Sequence, residues 1–192
     1  MRRLYYIPIL HTEKEAGLIQ GSERRVRTVI PLKEMWVGLQ KKIYDLKLDW
    51  KTVCLYQEAL PVCGREEEIV RGLSIKGSTN HRLLLSLVRK GARLEGTEDV
   101  DLLISENDLL TRALNNKDSG GVAEYRQESD KLLERRDTFI ARRIRETLKE
   151  GETGLAFMGV RHRLDQSLKN DFQVSHIIYR IPFETVKTVF NL

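Results

Sequence analysis

The sequence predicts an α/β fold: one domain spanning residues 1–192, built on a mainly parallel central sheet of about five strands flanked by helices. Short apolar runs recur along the chain at 4–10, 52–56, 92–94, 154–160 and 172–179. Stretches with helical periodicity separate them, which is what parallel neighbours need, because a parallel pair cannot be joined by a tight turn. Four of the five runs also end on histidine, glutamate or arginine.

Composition sets the outer limits. At 192 residues, 41% hydrophobic and 32% charged, the chain can bury one good core. No apolar run approaches the roughly 18 residues of a membrane span, and Met1-Arg-Arg precedes only a short apolar run without a small-residue cleavage site, so a cytoplasmic location is expected. Cys54 and Cys63 lack metal-type spacing and make no disulfide framework; they read as reduced thiols. The net charge of +5 is a small excess on a mixed surface, which disfavours nucleic acid as a partner.

Residues 4–10 are rich in β-branched and aromatic side chains and read as a first strand. Pro8 should place one side of it at an edge or bulge. From Leu32, apolar residues at 35, 36, 39, 43 and 46 follow steps of three and four, an amphipathic helix with Pro31 in its first turn. Residues 52–56 form the second strand, running into Gln57-Glu58. A short helix is expected over 66–73, and another from His81 through Leu84 and Leu87, capped by Ser78 or Thr79 and closed by Gly91. The brief strand at 92–94 is followed by three carboxylates, Glu95, Glu98 and Asp99. Helical spacing covers 101–114, and residues 115–121, with two glycines, read as a loop that could act as a lid.

The longest helix runs over 124–150. On a wheel of roughly 100° per residue, Leu133, Ile140, Ile144 and Leu148 share a side with Arg136 and Asp137, while Arg135 points away. Charges beside an apolar stripe must contact each other, a ligand or polar groups at the sheet edge. The run Gly154-Leu-Ala-Phe-Met-Gly-Val-Arg-His162 is the fourth strand, entering a short helix over 163–170. Residues 172–179 are the last strand, with His176 among apolar neighbours. Val186, Val189 and Phe190 have helical spacing that could pack on the sheet or on a second copy, a possible homodimer.

In an open parallel sheet, ligands bind beyond the carboxyl ends of the strands. Those ends carry His11 with Glu13, Glu58, Glu95 or Glu98, and Arg161-His162. His11, Glu13 and His162 could hold zinc, manganese or iron, whose open position would activate water. Without metal, His11, Glu58 and His162 could transfer protons while Arg136 clamps an oxyanion. Glu98, Asp137 and Arg161 would then contact a small-molecule or peptide ligand.

Five features taken together, His11 and Glu58 at strand ends, Glu134-Arg-Arg-Asp-x-x-Ile-Ala141, Gly159-Val-Arg-His162 and Asp171-x-x-Val174, resemble the TraB, Tiki and erythromycin-esterase-like superfamily. Pro8 stands where many relatives have the glycine of a Gly-x-x-His motif. The resemblance implies an α/β fold with both histidines, acidic residues and an arginine facing one cleft. It also implies a choice among metalloprotease, esterase and haem-associated roles, which fold alone does not make. The expected activity is hydrolysis of a peptide or ester bond, with or without a metal. The alternative is a non-catalytic protein that binds haem, a metal or a peptide in the same cleft.

Overall fold

The computed structural model describes residues 2–9, 32–115 and 119–179. Strands β1 (Arg3–Ile9), β2 (Val53–Gln57), β3 (Arg93–Glu95), β4 (Thr153–Gly159) and β5 (Gln173–His176) form one sheet. Its order is β3-β2-β4-β1-β5, and every pairing is parallel. The helices are α1 (Leu32–Asp45), α2 (Glu66–Ile75), α3 (Thr79–Val88), α4 (Val100–Asn115), α5 (Ser119–Thr147) and α6 (Leu164–Leu168).

Strand alternation divides the core in two. Ile7, Leu55 and Phe157 face α1, α2 and α3 with Trp36, Leu39, Val70 and Leu84. Tyr6, Tyr56 and Met158 face the other way, onto Ile140 and Ile144 of α5 and Leu164 and Leu168 of α6. Strands buried on both faces must be apolar throughout, which is why β4 reads as a continuous run. The apolar stripe of α5 continues away from the sheet, where Leu132 meets Leu102 and Leu109 of α4. Leu132, rather than Leu133, is the buried member there.

Pro8 interrupts no ladder. Gln173 and Ile177 donate to the carbonyls of Arg2 and Tyr6, so even-numbered residues of β1 face β5. Pairing with β5 stops at Tyr6 and His176, short of Pro8. The last strand is shorter than expected, and His176 does not sit in an apolar layer; its side chain is 41% exposed, 3.4 Å from Asp165 and against the Tyr6 ring. The loop expected over 115–121 is also shorter, since Ser119, Gly120 and Gly121 already belong to α5. Ser78 caps α3, and Gly91, at φ 108°, closes it as only glycine does easily.

Cys54 is buried and its thiol is pushed up to about 12, chiefly by desolvation, whereas Cys63 is exposed; neither forms a disulfide. Among the described residues, no helix is long and apolar enough to cross a membrane. The segment containing Val186, Val189 and Phe190 lies outside the described residues, as does Pro31.

Candidate functional site

The carboxyl ends of β2, β3 and β4 meet α5 at a buried cluster of charge. Beyond β2 the chain turns sharply: Glu58 donates its N–H to the Phe157 carbonyl at 2.9 Å, and Ala59 takes a left-handed φ of 60°. That conformation is unfavourable for a residue with a Cβ, so the surroundings must hold it. They do so partly through Glu98, whose carboxylate accepts the Ala59 N–H at 3.2 Å.

The turn aims Glu58 across the sheet edge at β4. One carboxylate oxygen accepts the Gly159 N–H, and the other lies 3.0 Å from His162 Nε2. A Cβ at Gly159 would stand 2.5 Å from a Glu58 oxygen, so this approach requires glycine. After β4 the chain folds back, with the His162 N–H donating to the Gly159 carbonyl at 3.0 Å. Tyr6 Oη then donates to the His162 carbonyl at 3.0 Å, fixing the ring from below. His162 Nδ1 meets Asp137, whose second oxygen accepts the Arg163 N–H at 3.0 Å.

Arg136, one residue before Asp137 on α5, grips Glu98 with two N–H groups at 2.6 and 3.0 Å and binds Glu106 of α4 with a third. Its guanidinium lies 3.8 Å from Glu58. Glu98 is fully buried and Arg136 only 2% exposed, an arrangement that is stable only because the pair is bidentate. Burial alone would lower the pKa of Arg136, but the hydrogen bonds and charges of Glu98, Glu106 and Glu58 together raise it.

His162 obeys the same balance. Desolvation opposes its protonation, yet hydrogen bonds to Asp137 and Glu58, and their charges, raise it from 6.5 to about 9. Both ring nitrogens face carboxylate oxygens, so both carry hydrogen and the ring is an imidazolium at neutral pH. The cluster is therefore a line of Asp137, His162 and Glu58 crossed by Arg136, with Glu58 13% exposed and His162 1% exposed in their side chains.

The structure thus brings together Glu58, Arg136, His162, Asp137 and Glu98, and shows that of the early carboxylates Glu98 is the one that joins them. Glu95 instead pairs with Arg93 and Arg143, and Asp99 caps α4 through the N–H groups of Asp101 and Leu102. Arg161 is a correction. It turns outward to Asp130 at 2.8 Å and Ser129 at 3.2 Å, because its neighbour His162 takes the inward position in the turn. The oxyanion clamp expected of Arg136 is also revised, since three of its N–H groups already bind protein carboxylates. His11 and Glu13 lie outside the described residues.

A divalent metal does not fit the described donors. Among the described residues no group of three or more His, Cys, Asp or Glu side chains could hold one. His162 has both nitrogens engaged, and a guanidinium already neutralises the nearest carboxylates. A metal set would have to draw on His11 and Glu13.

Sequence reasoning missed Glu106, Gln57 and Asn80. Gln57 and Asn80 are 1% and 3% exposed. Asn80 donates through Nδ2 to Gln57 Oε1 at 2.8 Å, and Gln57 Nε2 donates to the Glu58 carbonyl at 3.1 Å. The signal for Asn80 was available, because it precedes Leu83, Leu84 and Leu87 by three, four and seven residues and so lies on the buried face of α3. Among the described residues its Oδ1 is buried without a partner, a condition that costs about 1–3 kcal/mol. Glu106 carried no such signal, since it depends on how α4 packs against α5. No family model, curated protein or solved structure matches the chain.

Proposed function

We propose that this cluster is the active site of a hydrolase acting on a peptide or ester bond in a small-molecule or peptide ligand, at the carboxyl ends of the sheet strands. The observation that carries this is the line Asp137–His162–Glu58, with the imidazolium saturated by two carboxylates and Glu58 at the end where β2 and β4 meet. Glu58 is placed to take a proton from water as its oxygen attacks the carbonyl carbon. The same proton then passes to the leaving oxygen or nitrogen as the bond to carbon breaks, giving an acid and an alcohol or amine. His162 holds Glu58 in place and offsets charge developing beside it, Asp137 orients the ring, and Arg136 fixes Glu98 and the Glu58 turn. His11, if it reaches the same edge, would add a second acid–base group.

A second reading has its own support. Every charge of the line is answered from within the protein, as suits a site that binds haem or a peptide, or a metal with the help of His11 and Glu13, without turning it over. In either case the meeting of Glu58, Arg136 and His162 supports placing the chain in the TraB, Tiki and erythromycin-esterase-like superfamily. A cytoplasmic location and a homodimer complete the proposal, resting on the sequence alone.

The test is hydrolysis of a panel of p-nitrophenyl esters and fluorogenic peptides by the wild type and by Glu58→Gln, with circular dichroism to confirm folding. A kcat loss of about 100-fold or more supports the hydrolase. Equal rates in the two proteins sink it, and ligand binding at one equivalent without turnover establishes the second reading. Zinc, manganese or iron in the wild type, absent from a His11→Ala/His162→Ala variant by elemental analysis, would establish a metal site that depends on these histidines.

A further inference from the structure

We infer that Asn80 is a positioning residue for Glu58, acting through Gln57 from the opposite face of the sheet. Val53 and Leu55 of β2 face α1, α2 and α3, and by alternation Gln57 faces the same way, while Glu58 turns to the cluster. The Gln57 side chain therefore reaches back from one core to the backbone that presents a carboxylate on the other. Its Nε2 donates to the Glu58 carbonyl and its Oε1 accepts from Asn80.

The direction of these bonds is forced. Were the Gln57 amide reversed, its oxygen would face the Glu58 carbonyl, acceptor against acceptor. Asn80 prevents this by offering a donor where Gln57 must present its oxygen. Packing does not explain the residue, because the remaining buried positions on that face of α3 are leucines and the Asn80 oxygen is buried and unmatched among the described residues. What the asparagine supplies and a leucine would not is the donor. The Gln57 backbone is held as well, its carbonyl accepting from Thr97 Oγ1 and from the Leu60 N–H at 3.3 Å. Side chain and backbone together clamp a turn whose next residue, Ala59, is left-handed. Loosening it would let the Glu58 carboxylate drift from both Gly159 and His162.

The Gly159 amide, which donates to Glu58, reports the position of that carboxylate without any need for turnover. Its proton shift and exchange rate would be measured by nuclear magnetic resonance in the wild type, in Asn80→Leu, in the near-isosteric Gln57→Met, in the double variant, and in Glu58→Ala as the reference for a lost acceptor. The expected result is that both single variants move the Gly159 signal toward its Glu58→Ala position and speed its exchange. The double variant should match Gln57→Met alone, because Asn80 acts only through Gln57. A Gly159 signal unmoved in either folded single variant overturns the inference, even if melting temperatures fall. Should Asn80→Leu not fold, Asn80→Ala, which removes the donor without adding bulk, takes its place and is read in the same way. The catalytic consequence rests on the hydrolase reading: kcat should fall about tenfold to a hundredfold with KM nearly constant. If no hydrolysis exists, that part fails with the earlier reading while the Gly159 result still stands or falls by itself.

Discussion

Two arginine networks cross the interface between α5 and the sheet, and they differ in burial far more than in composition. Arg93, 37% exposed, binds Glu95, Glu152 at 2.8 Å and the Thr147 carbonyl, tying β3 to the end of α5 and to the entry of β4. Arg136 makes bonds of the same kind to Glu98 and Glu106 but keeps only 3% of its side chain exposed. The first network is a partly solvated brace. The second contains a histidine held between two carboxylates and a turn held in an unfavourable conformation. Charge pairing alone therefore does not mark a site; pairing that is buried, asymmetric and coupled to backbone strain does.

The sharpest way to break the comparison is to remove each arginine. Arg136→Met leaves Glu98 buried without its partner and should destabilise the fold by about 3–5 kcal/mol in urea unfolding. A loss near that of a surface substitution would show that the cluster is wetter than its burial implies.

The next largest effect is a dependence on pH. The folded pKa of His162 lies above its unfolded value, so its contribution is complete below about 6.5 and is lost as pH rises toward about 9. The shift corresponds to about 3 kcal/mol of stability across that window. Unfolding free energies at pH 6, 7 and 8 should show this decline, below the range where the buried Cys54 thiol contributes, and His162→Gln should abolish it. The Arg93 network contains no histidine and should add no slope there. A wild-type slope that persists in His162→Gln would assign the dependence elsewhere.

Arg93→Met, the smallest effect, should cost about 1–2 kcal/mol by the same urea measurement, because the pair is partly exposed and water reaches Glu95 and Glu152 once the guanidinium is gone. A loss equal to that of Arg136→Met would erase the distinction between the two networks.

Much of the candidate site was legible at the strand ends. Glu58 and His162 follow apolar runs, and the helical wheel placed Arg136 and Asp137 on the side of Ile140 and Ile144, where charge had to find polar partners at the sheet edge. Arg161 was misjudged because adjacent residues in a turn point in different directions, and only the turn geometry says which faces inward. Gln57 and Asn80 escaped notice because neutral amides raise no alarm in a sequence, although the spacing of Asn80 with Leu83 and Leu87 placed it on the buried face.

The sequence by itself determined the α/β class, the order and approximate positions of the strands and helices, and the chemical inventory at the strand ends, because hydrophobic period and strand termini are local properties. Tertiary structure alone decided that β4 inserts between β2 and β1, that Glu98 rather than Glu95 meets Arg136, and that His162 lies between two carboxylates. Those outcomes depend on strand order and on how α4 and α5 pack, which are set by the fit of distant surfaces. The protonation of His162 follows from the same cause, since a pKa is fixed by what surrounds a group in space rather than by its neighbours along the chain.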